Sequence, residues 1–524
     1  MSSEPTVSTA DLVARAARLE SERDEYKKLY LATLELCRKL EQGLIGPKRE
    51  RFIADDAQLK LAELMKMVVP GAETAPAAPP TKVPAHERAK PTGRQRPAEE
   101  LPRVIVEIVP PEVQQQGLAA FDRIGEDVSE TLERRVASTV VVRSVRGKFV
   151  PKQSEASKVF QAAPLELPIP RGLAGPNLLA ETIVRRFQDH LPLNRQEQIF
   201  DREGLGLSKQ TIGHWHAQVA ELVARLVDAM WKDARATAPY LCMDATGVLV
   251  QAAEQCRRAH FFVVIAPERH VLFGYTKKHN GKAVDSLLGE YRGPLVVDAH
   301  SVYEHLFEEN RATEVGCWAH ARRYFFKAML TDEPRARQGL ELIQKLFALE
   351  REYATAPPEL KLQRRLQLAR PVVESFFAWR DEAALRALDE TPIAKALRYA
   401  DNQREALQRF LEDGRLPIHN NSSENALRRE AVGRKNWLFV GSDEGGHVNA
   451  RLVTLLASCA MHRLDPLGYL RDLLIVLPGW NQTKLLDLAP VNWRATAERA
   501  EVKAALASNV HRRVALGELQ PSPL

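Results

Sequence analysis

At 524 residues, with 45% hydrophobic and 6% aromatic side chains, the chain is too long for one compact core, and two to four domains are expected. Its net charge of +6 is compatible with a nucleic-acid partner without requiring one. No run approaches the roughly 20 apolar residues of a membrane span, and MSSEPTVSTADL lacks the basic start and apolar run of a secretion signal, so a soluble cytoplasmic protein is expected.

In chain order, residues 1–46 read as a coiled-coil helix. Leu12, Leu19, Tyr26, Thr33 and Leu40 recur every seventh position, Leu29 and Leu36 fill the companion seam, and Arg15 and Glu22 interrupt it. A self-associating helix and a solvated amphipathic one both fit this pattern. Residues 47–100 include the Pro/Ala-rich PGAETAPAAPPTKVPAHERAKPTGRQRP, which cannot bury a core and reads as a flexible linker. Residues 101–168 read as a small basic module. There VASTVVVRSVRGKFV predicts short strands with Arg143, Arg146 and Lys148 on one basic face. The five cysteines of the chain are scattered without a CxxC pair, which excludes a disulfide framework and a local four-cysteine zinc site.

Residues 169–236 look helical, and GLGLSKQTIGHW has helix-turn-helix grammar. A Gly-containing turn meets an N-capping Ser208. The helix that follows presents Lys209, Gln210, Thr211 and His214 outward, while Ile212 and Trp215 pack against the preceding helix. Such geometry also occurs in proteins that never touch DNA.

Residues 237–330 switch to strand grammar: three apolar or alternating runs, a helix, a buried-type strand GPLVVDA, a further helix, and the strand TEVGCWA. The order β-β-β-α-β-α-β is that of a ribonuclease-H-like α/β core. It places Asp244 in the first strand and Asp298 at the close of the fourth, and in that fold these strands are neighbours. A carboxylate among apolar strand residues is costly unless compensated, by a metal ion or by backbone hydrogen bonds at a strand end. Residues 331–412 read as an all-helical insertion, and 413–463 as the return to the core. In the return a polar loop, HNNSSEN, opens a helix with Glu424 in its first turn and Arg428 one turn on, a spacing that a surface ion pair also explains. Residues 464–524 form a C-terminal tail.

Longer motifs narrow the reading. Asp298 is followed by Tyr303, then by Gly316-Cys317-Trp318-Ala319-His320-Ala321-Arg322-Arg323. Later come Asn420-Asn421-Ser422-Ser423-Glu424 and Gly433-Arg434-Lys435-Asn436-Trp437-Leu438-Phe439. In these strings the chain resembles the DDE transposases of the insertion sequence 66 family. The resemblance covers most of the chain and implies that Asp244, Asp298 and Glu424 form the catalytic triad, cleaving DNA at element ends and transferring the 3′-hydroxyl into target DNA. Two departures stand out. Relatives often carry a cysteine-rich zinc module before the helix-turn-helix, whereas residues 90–170 hold no Cys, and His419 replaces the Asp that usually flanks the Asn pair.

Carboxylate ligands suit two Mg²⁺ ions, with Mn²⁺ as a substitute. Arg322, Arg323, Arg428, Arg434 and Lys435 are expected to grip phosphates, with a solvated charged face as the alternative. Cys317 and His320 form a CxxH pair, too few ligands for a zinc site; resemblance to an element of several transposase groups implies an ordering or DNA-positioning role, with buried packing of Cys317 and Trp318 as the alternative. Trp437 could stack on a base, but the LFV after it points to the core. Expected partners are DNA (terminal inverted repeats and target), a second copy of the chain in the synaptic complex, and companion proteins of the same element, with a nucleoid-associated location. The rival readings are a structure-specific nuclease of the same fold and a domesticated, inactive DNA-binding regulator.

Overall fold

The computed structural model describes residues 17–30, 33, 97, 99, 101–135, 138–152, 159–252 and 255–519. Nearly all of the Pro/Ala-rich stretch, and heptad positions Leu12, Leu36 and Leu40, lie outside them. Residues 17–30 are helical, and the seam residues Leu19, Tyr26 and Leu29 are exposed on that helix. No helix among the described residues is long and apolar enough to cross a membrane.

The chain is a mixed α/β protein that divides into two compact units. One contains Glu314–His419, and the other is formed by Thr92–Thr313 with Asn420–Leu524.

The second unit begins with a small sheet. Strands β1 (Arg103–Ile108), β2 (Phe121–Arg135) and β3 (Ser138–Pro151) lie in the order β1-β3-β2, and β4 (Phe160–Gln161) pairs with β3. The expected basic face does not form. Side chains alternate sides along a strand, so Arg143 leaves on the face opposite to Arg146 and Lys148. Acids on β2 then meet all three: Glu130 stands 3.7 Å from Arg143, and Asp127 lies 3.7 Å from Arg146 and 2.7 Å from Lys148. At the end of β2, the fully buried Glu133 accepts the backbone N–H of Leu178 at 3.0 Å and so holds the start of the next helix.

Four helices follow: α1 (Pro176–Phe187), α2 (Leu193–Arg202), α3 (Lys209–Leu222) and α4 (Ala224–Thr237). Ser208 caps α3 by accepting from the Thr211 N–H, and Glu197 of α2 accepts the Lys209 N–H at 2.9 Å. Ile212 and Trp215 are buried on the inner side of α3.

Next comes a five-stranded sheet: β5 (Leu241–Val250), β6 (Arg257–Ala266), β7 (His270–Thr276), β8 (Pro294–Val296) and β9 (Thr313–Val315), in the order β7-β6-β5-β8-β9. The first three form an antiparallel meander of apolar and β-branched residues, and β8 runs parallel to β5. Helix α5 (Gly281–Leu288) supplies the crossover from β7 to β8 and meets β7 closely, since a Cβ on Gly274 would fall 2.3 Å from Leu287.

Helices α6 (Trp318–Ala328), α7 (Glu333–Glu352), α8 (Arg370–Ala384) and α9 (Pro392–Asn402) belong to the other unit. Trp318 is fully buried, packs edge-on against Phe376, and donates its indole N–H to the Leu407 carbonyl. These contacts draw residues 314–330 and 413–419, which in sequence read with the strands, into the helical unit. Gly316 is required there, because a Cβ would lie 2.9 Å from the Leu407 backbone. Arg365 is fully buried at a single π-helical turn, Arg365–Ala369.

The chain then returns to the sheet unit as α10 (Asn421–Trp437), α11 (Asp443–Met461) and α12 (Pro466–Val476). Helix α11 lies on the outer strand β7. Thr454 accepts the Phe273 N–H at 2.9 Å, and one turn on Ser458 accepts the Val271 N–H at 3.1 Å and donates to the Val271 carbonyl. Two hydroxyls spaced four residues apart thus satisfy ladder groups that an edge strand would leave open.

Candidate active site

Asp244 and Asp298 meet through strand register. Within the parallel pair β5 and β8, Cys242 stands opposite Val296. Each aspartate lies two residues further along, so both reach the same level on strands about 4.8 Å apart. Asp244 accepts the Ala245 N–H at 2.7 Å and Asp298 accepts the His300 N–H at 3.3 Å, and both side chains are half-buried. Between them Ala299 adopts φ +63°, a left-handed conformation strained for a residue with a Cβ, and this turns the chain sharply off the end of β8.

That turn delivers Tyr303, which is 2% exposed. Burial, then the carboxylate of Asp298, then that of Asp244, hold its hydroxyl well above the ordinary phenol range. One buried hydroxyl therefore senses both acids.

Glu424 reaches the same unit on α10. Asn420, fully buried, donates from Nδ2 to the carbonyl of Met243 at 2.8 Å and fixes the start of the helix beside the residue that precedes Asp244. At the other end, Val440 exchanges backbone hydrogen bonds with Leu249 and Gln251, both at 2.8 Å. Helix α10 therefore runs along β5 in the same direction, with the half-buried Glu424 in its first turn. Among the described residues no three His, Cys, Asp or Glu side chains are placed to hold a metal ion in common. The register brings the two aspartates together, and it does not close Glu424 onto them.

A group that sequence reasoning missed stands beside Asp298. His260 stacks on His279, and His279 meets His300 edge-on, with ring centroids 4.8 and 4.5 Å apart. Burial, then His300 and His260, pull the His279 imidazole down to about 4 against the opposing charge of Asp298, so it is neutral at pH 7. His260 Nδ1 and His279 Nε2 are buried without a hydrogen-bond partner. The three histidines come from β6, the loop before α5 and the loop after β8, so no local spacing announces them.

The expected DNA-contacting residues divide. Lys209, Gln210 and His214 are exposed on α3, and Thr211 is half-buried against Ser208. Arg322 and Arg323 are exposed on α6, and Arg428 and Lys435 are exposed on α10. Arg434 instead donates to Thr246 Oγ1 at 3.0 Å and to the Gly247 carbonyl at 2.6 Å, so it ties α10 to β5 rather than facing solvent. Trp437 is half-buried and is not part of the core. Leu438 takes φ +63° and ends α10, which leaves Leu438 and Phe439 66% and 40% exposed. Cys317 is fully buried at the start of α6, and His320 meets Arg323 at 3.2 Å, in keeping with packing and ordering.

Further along α10, Glu430 is buried and hydrogen-bonded by Asn449 of α11 at 3.3 Å. Burial pushes its carboxyl up to about 7, while Asn449, Arg429, Arg186 and Arg434 pull the other way. Arg429 also contacts Gln188 just beyond α1.

Comparison with known proteins bears on this arrangement. The family model described as "Transposase IS66 family" matches residues 171–448, from α1 through the first residues of α11. The chain is 28% identical over 508 residues to the uncharacterized protein y4hP of Sinorhizobium fredii (strain NBRC 101917 / NGR234), covering 91% of each chain. From the same organism, y4qI is 29% identical over 414 residues, covering 75% of this chain and 76% of that one. The third, y4jD, is 28% identical over 395 residues, covering 72% and 77%.

Proposed function

The chain belongs to the IS66 transposase family, and from that premise we propose that it cleaves DNA at the ends of its element and joins the freed 3′-hydroxyl to target DNA. In this reading Asp244, Asp298 and Glu424 are the acidic triad of a ribonuclease-H-like core. The observation that carries it is the register of β5 and β8, which sets Asp244 and Asp298 level, with both charges felt by the buried Tyr303 hydroxyl. The strand order β7-β6-β5-β8-β9, with the first and fourth strands adjacent, supports the fold assignment.

Two half-buried carboxylates at one level repel each other unless a cation compensates them, and their hard oxygens suit Mg²⁺ or Mn²⁺. Asp244 and Asp298 would hold such an ion, with Glu424 as the third acid of the set. A pair of such ions, when bound, supplies Lewis-acid stabilisation and a nucleophile at neutral pH. The protein's own groups have separate tasks. Asn420 and Arg434 fix the path of α10 over β5 and so hold the first turn that carries Glu424. Tyr303, kept protonated, can donate a hydrogen bond to either aspartate and hold its orientation. Arg428 and Lys435 offer cations to the DNA backbone. The exposed Lys209, Gln210 and His214 of α3 have the placement of a recognition surface in a helix-turn-helix, for the terminal repeats. Joining two ends requires at least two copies of the chain, for which the exposed seam of residues 17–30 is suited.

The test is cleavage of a labelled element end in Mg²⁺. Asp298→Ala and Asp244→Ala are each expected to lower the rate at least 1,000-fold, roughly the contribution of a bound metal's charge stabilisation, with binding of the end retained. Full cleavage by either variant would overturn the assignment. End binding without cleavage by the wild type would favour a DNA-binding regulator, and nicking without joined products a nuclease.

A further inference from the structure

Helix α6 carries a surface that the acidic site does not account for. Its inward stripe, Trp318, Ala321, Phe325 and Ala328, is fully buried. The opposite arc holds Arg322, Arg323, Tyr324, Phe326 and Lys327, all exposed, and WAHARRYFFKA contains no acidic residue. The two adjacent phenylalanines separate the roles. Phe325 fills the core against Phe376 and Trp379, whereas Phe326 is 60% exposed with no packing reason to be there.

A single exposed aromatic is ordinary on a protein surface. Here a second aromatic lies two residues away and is held in place. Tyr324 stacks on Tyr399 of α9 with centroids 4.6 Å apart and planes 21° from parallel, and Lys327 Nζ sits 5.7 Å over the Tyr324 ring. Neither Arg322 nor Lys327 makes an ion pair with a described residue. The arc thus combines the charges of Arg322 and Lys327 with one pre-ordered ring, Tyr324, and one open ring, Phe326, and the helix itself carries no acid to neutralise them.

We propose that this face of α6 binds an unpaired DNA strand, with Arg322, Arg323 and Lys327 on the phosphates and Tyr324 and Phe326 stacking on bases. The proposal rests on DNA being the substrate, and it adds which form of DNA this surface takes. Cations alone would serve a duplex equally well. Flat rings set among them favour bases whose faces are open, because a duplex shows proteins only the edges of its bases. Strand separation at a cut end would provide such bases.

The test uses the full chain without added metal, so that it is independent of the acidic triad. Affinity is measured by fluorescence anisotropy for a labelled 15-nucleotide oligo-dT and for a labelled duplex element end. Phe326→Ala with Tyr324→Ala is expected to weaken oligo-dT binding about tenfold or more, in line with the loss of stacking on one or two bases, and to change duplex-end binding less than twofold. Tyr324→Phe, which keeps the ring, should bind oligo-dT like the wild type. Arg322→Gln with Lys327→Gln should lower oligo-dT affinity and flatten its salt dependence. Unchanged oligo-dT affinity in the double alanine variant would overturn the proposal. Equal loss on both DNAs would also overturn it, because the face would then be a general backbone contact. So would an altered sedimentation coefficient of the free protein, which would make it a contact between copies. Failure of Asp298→Ala to abolish cleavage would strike the proposed reaction and leave these binding results standing.

Discussion

Each of the two units buries a charged side chain, and the two are satisfied to very different degrees. In the helical unit Arg365 uses all five of its N–H groups. Nε and Nη2 clamp Glu350 at 2.7 and 2.8 Å, and the remaining bonds reach the carbonyls of Phe410, Asp413 and Leu416. In the sheet unit Glu430 has one hydrogen bond, from Asn449, whose own Oδ1 is buried without a partner. A saturated charge acts as a fixed pin. An under-satisfied one ties the stability of its helix to proton concentration.

The largest effect should come from pulling the pin. Arg365→Met strands three carbonyls and strips Glu350 of its guanidinium clamp, leaving Lys361 3.3 Å away. A loss of about 3–5 kcal/mol is expected, read as early proteolysis of the helical unit in a denaturant series. Arg365→Lys should fare little better, since an ammonium cannot span the same five acceptors. A Met variant as stable as the wild type would erase the contrast between the units.

The sheet unit should respond to pH from both sides. His216 of α3 is buried, bonded to Thr182, and held at about 3 by burial and then by Arg186. Its folded pKa lies below the unfolded value of 6.5, so the unfolded chain binds the extra proton. Stability is therefore lost as pH falls from about 6.5 toward 3, at up to about 1.4 kcal/mol per unit. Glu430 runs the other way. Its carboxyl is raised to about 7, so stability present below about 4.5 is lost as pH rises through about 7. Its slope is bounded by the same figure, over a narrower window. Urea midpoints recorded from pH 4 to 8 should lose the acid arm in His216→Gln and the neutral arm in Glu430→Gln. If Glu430→Gln leaves the profile unchanged, the Arg186 and Arg429 guanidinium groups already neutralise the site and the comparison fails there.

The smallest effect concerns Ala299. Glycine accepts φ +63° without the Cβ penalty, so Ala299→Gly should raise thermal stability by less than about 1 kcal/mol. A drop in the melting temperature would show that the turn after Asp298 is not strained.

Much of the sheet unit was legible because apolar periodicity reports directly on strands. The runs around Cys242, Phe262 and Leu272 became β5, β6 and β7, and GPLVVDA became β8 with Asp298 at its end. The N-cap at Ser208 could be read from its neighbours alone. What escaped was decided by long-range contact. Arg365 sits in LKLQRRLQLAR, where every cation looks solvated, and only a π-turn and three distant carbonyls select it for burial. Arg434 looked like a phosphate ligand because nothing local revealed Thr246 beneath it. Trp437 was misjudged from the apolar LFV after it, since a left-handed Leu438 cannot be read from composition. The charges on β3 seemed to share a face because neither strand alternation nor the acids of β2 entered that count.

The seal of Thr454 and Ser458 over β7 has a consequence for assembly. A strand whose outward amide and carbonyl are already engaged cannot recruit a neighbouring chain by backbone pairing, so this side of the sheet is closed to runaway polymerisation. Copies of the chain that associate must therefore meet somewhere other than this edge of β7.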